Sequence, residues 1–119
     1  MVKPRLAHRF LAAAGAAFAG AGVALSAYAA HAVEGAARTN LQTAALFALV
    51  HGVALAALSR QTPHRLGTTA LSMLLIGVLL FSGSLVAAHF FGAPTRLAPA
   101  GGSLLILGWL MYAVDTFRR

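Results

Sequence analysis

Cysteine is absent from this chain, which removes disulfides, thiolate metal sites and thiol nucleophiles from consideration. Acidic residues are nearly absent too. Glu34 and Asp115 are the only two in 119 residues, so general acid–base catalysis has little to work with. Charge of any sign is scarce: 9% of residues are charged and 60% are hydrophobic, where a soluble domain carries roughly 25% charged. A water-soluble chain of this length has no interior large enough for that much apolar surface. Also missing are a G-x-x-x-x-G-K-[ST] phosphate loop, a G-x-S-x-G elbow and an H-x-x-x-H helix pair, the sequence signatures of three common chemistries.

What the chain does have is long apolar runs. Residues 10–33, 41–59, 66–95 and 97–114 contain no Asp, Glu, Lys or Arg, and the mean hydropathy is +0.81. Each run reaches or approaches the ~20 residues that cross ~30 Å of hydrocarbon at 1.5 Å per residue. Four such runs cannot close a β-barrel, and lipid leaves no partner for unpaired backbone, so the spans are helices. The expected spans are 10–33, 41–59, 67–91 and 98–116. The connections at 34–40, 60–65 and 92–96 are short, which makes neighbours antiparallel. The fold expected is all-α: a polytopic membrane protein forming an antiparallel four-transmembrane-helix bundle, a single domain over residues 1–119.

The stretch A-L-S-A-Y-A-A-H-A-V-E-G (24–35) follows a basic start and an apolar run and contains two A-x-A patterns, the layout of a cleavable signal. A signal core is ~7–15 residues, however, and this run is 24, so the segment is expected to be a retained first helix. The net charge of +7 does not point to nucleic acid, because the basic residues flank apolar segments and face water and anionic headgroups. On the side of the termini and the middle connection lie Lys3, Arg5, Arg9, Arg60, Arg65, Arg118 and Arg119, and on the opposite side only Arg38 and Arg96. Seven against two predicts that both termini are cytoplasmic.

Small residues suggest how the helices meet. Ala12, Ala16, Gly20, Ala24, Ala27 and His31 fall on one face of the first helix, and Gly101, Leu105, Gly108 and Tyr112 on one face of the fourth. Such stripes let backbones approach closely in lipid. They read first as packing inside the bundle and second as contact with another subunit. Trp109 and Tyr112 are expected toward the cytoplasmic interface as aromatic anchors.

Polar residues within spans are where function would show. His51 is expected near mid-membrane, hydrogen-bonded inside the bundle to Ser82 or Ser84. His31, Glu34, Gln42, Ser82, Ser84 and His89 gather in the outer half. Each has a plain reading: satisfied core histidine, interhelical serine, hydrated interface residue. His8 and His64 read as solvated loop residues. The sharper reading makes His51, or an outer His31/His89 pair, a ligand for haem, quinone or a metal ion.

Four segments together resemble a known family: V-A-L-S-A-Y-A-A-H (23–31), Q-T-x-x-x-F-x-x-x-H (42–51), L-F-S-G-S-L (80–85) and P-x-G-G-x-x-x-x-x-G-W (99–109). They are similar, in the same order and over nearly the whole chain, to the small four-helix inner-membrane proteins grouped as domain of unknown function 423. The resemblance implies the four-helix fold and a multi-pass inner-membrane location. It marks His31, Gln42, His51, Ser82, Gly83, Ser84, Pro99, Gly101, Gly102 and Trp109, and implies no established activity. The chain has Phe47-Ala48 where members often have Tyr-Gln, and Val86 where they often have Tyr.

The function expected is that of a non-catalytic accessory or scaffold component that binds other membrane proteins, as a homo-oligomer or within a larger complex. The alternatives are a haem-, quinone- or metal-binding protein and a small transporter or channel; the chain is not expected to be an enzyme. Gly20, Gly83, Pro99, Gly101, Gly102 and Gly108 are the expected packing positions.

Overall fold

In a computed structural model of the protein, residues 5–119 are described, and Lys3 lies outside them. All regular secondary structure among the described residues is helical, with no strand. Its elements are α1 (Leu6–Ala32), α2 (Gly35–Leu58), a short 3-10 turn (Ser59–Gln61), α3 (Arg65–Phe91) and α4 (Leu97–Arg118). All four α-helices are long and apolar enough to cross a membrane. The shortest, α4, has 22 residues and spans about 33 Å at the α-helical rise.

The main difference from the sequence reading is at the α1–α2 junction. Residues 34–40 were expected to be a connection, yet α2 begins at Gly35. The chain reverses through extended Val33 and Glu34 and through Gly35 at φ 67°, a left-handed conformation that costs glycine little. The polar residues that seemed to end a span instead form the first turns of a helix. Arg38 has a specific task there. Its Nε donates to the carbonyls of Ala29 (3.1 Å) and Val33 (2.7 Å), and its Nη2 to Ala30 (2.8 Å). Those carbonyls belong to the unsatisfied end of α1, where a cation is also favoured by the helix dipole. At the far end of the second hairpin, α3 stops at Gly92, which is left-handed with its N–H on the carbonyls of Ala87 and Ala88, an αL cap.

The helices associate as two tight hairpins, α1 on α2 and α3 on α4, joined along α2 and α3. Glycine sets the spacing in both. A Cβ placed on Gly52 would lie 2.5 Å from the Gly15 carbonyl oxygen and the Ala19 nitrogen; one on Gly22 would lie 2.8 Å from the Ala45 oxygen and the Leu49 nitrogen. In the second hairpin a Cβ on Gly101 would lie 2.5 Å from the Phe81 nitrogen, and Gly77 and Gly108 are closed off by Leu105 and Leu74. Between the hairpins, Leu11, Leu55, Leu71, Leu74, Val78 and Leu105 form the main core. Ala29, Val33 and Leu41 form a smaller one near the α1–α2 turn.

The face that α1 buries is not the expected one. His8, Leu11, Gly15, Gly22 and Ala29 point inward, whereas Ala16, Gly20, Ala24, Ala27 and His31 are exposed. Gly20 has open space where a side chain would begin, and so has Gly83 of α3; neither packs against another helix of this chain. Gly102 meets only the edge of the Phe81 ring, at an ordinary 3.9 Å. The reason is compositional: α1 is Ala and Gly on almost every side, so no stripe stands out by residue size.

The start of α1, the end of α2, the start of α3 and the end of α4 share one end of the molecule. His8 Nε2 lies 2.9 Å from the Thr68 hydroxyl, and Arg119 donates to the Gln61 carbonyl at 3.4 Å. His8, read as solvated, is therefore buried and bonded across helices.

Candidate functional site

A groove of about 780 Å³ runs between α2 and α4, floored by α3. Its walls are Phe47 and His51 from α2, and Ala98, Pro99, Gly102, Leu105, Ile106 and Trp109 from α4; Phe81 and Leu85 form the floor, and Thr95 stands at the α4 end. The groove exists because α2 and α4 both pack on α3 without meeting closely themselves, and because α4 presents Ala98 and Gly102 where larger residues would fill the space.

His51 is the polar centre of this wall, and it is 6% exposed. Its Nδ1 lies 2.9 Å from the Phe47 carbonyl oxygen, one turn earlier on the same helix. Its Nε2 lies 3.0 Å from the Trp109 indole nitrogen of α4. A carbonyl only accepts and an indole N–H only donates, so these two partners select one neutral tautomer, with the proton on Nδ1. The imidazole also stacks on Phe47, with centroids 5.7 Å apart and planes 18° apart, and Phe47 continues to Phe81 at 4.5 Å.

His51 is thus bonded inside the bundle, but to Trp109 and not to Ser82 or Ser84. Ser82 donates to the Ala44 carbonyl at 2.8 Å and ties α3 to α2. Ser84 is buried with its hydroxyl unpartnered. Trp109, expected as an interface anchor, sits at the thirteenth position of α4, about 18 Å from the helix start at 1.5 Å per residue. The indole N–H in the quoted G-W pair is the signal available for this contact, since an indole N–H held away from water needs an acceptor, although the ring itself remains exposed at 36%.

The outer residues do not converge. His31 and Gln42 are exposed. His89 Nε2 lies 3.3 Å from the Tyr28 hydroxyl, so its partner on α1 is Tyr28 and not His31. No group of three or more His, Asp or Glu side chains gathers among the described residues. Both nitrogens of His51 are already engaged, so an iron or other metal ion at Nε2 would first have to displace Trp109. A quinone carbonyl would find no unused donor on His51.

A second polar group, missed in the sequence, closes the opposite end. Asp115 is buried at 2% exposure, with Arg119 Nη2 at 3.1 Å and His64 Nδ1 at 3.7 Å. The Tyr112 hydroxyl, and after it Asp115, raises the Arg119 pKa above its ordinary value. Asp115 and His64 lie on different elements 51 positions apart in the numbering, so only the fold brings them together.

Trp109→Phe is expected to leave His51 Nε2 without its donor and to cost about 1–2 kcal/mol, seen as a lower melting temperature in mild detergent. His51→Leu is expected to fold and insert, and to cost less in the Trp109→Phe background than in the wild type. Strictly additive losses would mean that the two side chains do not interact.

Comparison with known proteins agrees with this architecture. The family model described as "Protein of unknown function (DUF423)" matches residues 25–102. A protein of Haemophilus influenzae named "UPF0382 membrane protein" is 35% identical over 104 residues, covering 81% of this chain and 84% of that protein. No solved structure matches. Neither name carries an activity, and nothing in them points to catalysis.

Proposed function

Because this chain belongs to the DUF423 family of membrane proteins of unknown function, we propose its role from the surfaces it presents to the bilayer. It is a non-catalytic accessory protein of the inner membrane, with both termini in the cytoplasm, that binds a transmembrane helix of another membrane protein along the outer face of α1.

The observation that carries this reading is an asymmetry of the lipid-facing surface. Leu46, Val50, Val53, Ile76, Leu79, Ile106, Leu107, Leu110 and Val114 cover the outward faces of α2, α3 and α4. The middle of α1 instead exposes mainly small residues, Ala13, Ala16, Ala17, Gly20, Ala21, Ala24 and Ala27, with Val23 the one large apolar side chain exposed among them, and nothing lies near the Gly20 position. Acyl chains gain no more from alanine and glycine than from leucine, whereas a second helix gains close backbone approach. Within the chain, the same device already joins Gly15 and Gly22 to α2. The His51 geometry supports a non-catalytic reading, since the buried imidazole is spent on structure.

A photo-reactive residue at Ala17 or Ala24 tests this in native membranes. The expected result is a discrete cross-link to a protein, lost in Gly20→Leu while the melting temperature of the purified protein stays unchanged. Cross-linking to lipid alone would overturn the reading; a product of twice the chain mass would identify the partner as a second copy. A phosphatase fused after Arg119 is expected to be inactive, as a cytoplasmic reporter is.

A further inference from the structure

The α2–α4 groove plays no part in the role assigned to α1, and its shape and charge point to an occupant of their own. We propose that it holds one acyl chain of an anionic phospholipid, with the phosphate at Arg96.

Length is the first reason. The groove follows α4 from Ala98 to Trp109, with Thr95 just before the helix at its mouth, about 17 Å along the helix at 1.5 Å per residue. One leaflet of hydrocarbon is about half of the ~30 Å core, so the groove extends from headgroup level to the middle of the membrane. There it stops, because the Trp109 indole reaches across to His51. A partner helix would continue through the other leaflet, whereas an acyl chain ends at this depth.

Chemistry is the second reason. The deep part is built from Phe47, Phe81, Leu85, Leu105 and Ile106, and no Asp or Glu lines any part of it. Its two polar wall residues there are bonded: His51 as above, and Ser103 to the Pro99 carbonyl at 3.0 Å. At the mouth, Thr95 is exposed and Arg96 follows it, also exposed and in neither of the ion pairs found among the described residues. The other arginine of this end, Arg38, is occupied with the α1 carbonyls. An apolar slot of leaflet length with one cation at its mouth is complementary to a single-tailed portion of an anionic amphiphile. It is not complementary to a zwitterionic lipid in the same degree, nor to a neutral quinone, whose carbonyls accept hydrogen bonds but carry no charge to pair with Arg96.

Trp109 is the chain's one tryptophan, which makes the groove readable by fluorescence. The protein is reconstituted into phosphatidylcholine vesicles containing a small fraction of phosphatidylglycerol with brominated acyl chains, which quench indole on contact. The expected quenching exceeds that from the same fraction of brominated phosphatidylcholine by about five-fold, the enrichment equivalent to about 1 kcal/mol for one arginine at an anionic headgroup. Arg96→Gln is expected to remove the excess and Arg96→Lys to retain most of it. Gly102→Leu, which fills the groove beside Phe81, is expected to reduce quenching by both lipids. Equal quenching by the two lipids would overturn the proposal, as Trp109 would then report bulk lipid. So would an excess that survives Arg96→Gln, or an absence of quenching with a quinone or protein segment retained in the groove.

Discussion

Gly52→Leu is expected to prevent stable assembly, and Gly20→Leu to leave the isolated protein as stable as the wild type. Both are glycines in apolar helices, so propensity does not separate them. Space does. The first side-chain atom at position 52 would lie 2.5 Å from two backbone atoms of α1, and backbone cannot turn aside as a flexible side chain can. The α1–α2 pair would have to separate along the seam that also contains Gly15 and Gly22. Overpacking an interior commonly costs 1–3 kcal/mol; a whole leucine directed at backbone is expected at or above the top of that range. Thermal unfolding in mild detergent is the measurement. Gly108→Leu is an intermediate case, since the nearest atom there is the end of the Leu74 side chain at 2.9 Å. If Gly52→Leu melts with the wild type, the close α1–α2 seam does not exist.

Arg119→Ala is expected to destabilise by about 1–2 kcal/mol. Breaking a fully buried pair from one side costs 3–5 kcal/mol, because a charge is left without compensation; an exposed i,i+4 pair is worth only about 0.3–0.5. This pair lies between. The Asp115 side chain is 3% exposed, Arg119 is 28% exposed, and His64 stands at 3.7 Å as a second, partial partner. Arg119 also donates to the Gln61 carbonyl and the Tyr112 hydroxyl, each at 3.4 Å, and so ties the end of α4 to the α2–α3 turn. Asp115→Asn removes the buried charge, so Arg119→Ala is expected to cost less in that background. Equal losses in both backgrounds would show that Arg119 acts through Gln61, Tyr112 and packing, and not through the Asp115 charge.

Much of this molecule is legible in its sequence, for reasons that do not depend on neighbours. Lipid offers no hydrogen bonds, so an apolar run of about 20 residues must satisfy its own backbone as a helix. Four such runs with short connections imply four antiparallel spans. The Gly101, Leu105 and Gly108 positions of α4 could be read as a face because larger residues surround them. Charge is a poorer guide to helix ends: Arg38 and Asn40 read as part of a connection, yet both lie within α2, since a helix continues wherever its own hydrogen bonds do.

The tertiary structure alone decided the rest. Composition put alanine and glycine all around α1, and only docking on α2 chose Gly15 and Gly22 over Gly20. Depth counting brought His51 within reach of several groups. Trp109 was chosen because α4 lies across a groove from α2, and Ser82 was already committed to the Ala44 carbonyl. Asp115 seemed an isolated acid near the end of the chain until the α2–α3 turn and Arg119 closed over it. Periodicity and hydropathy are properties of one helix in its solvent, and so can be read along the chain. The side of a helix that meets another depends on relative rotation and distance, which are settled only when two surfaces fit.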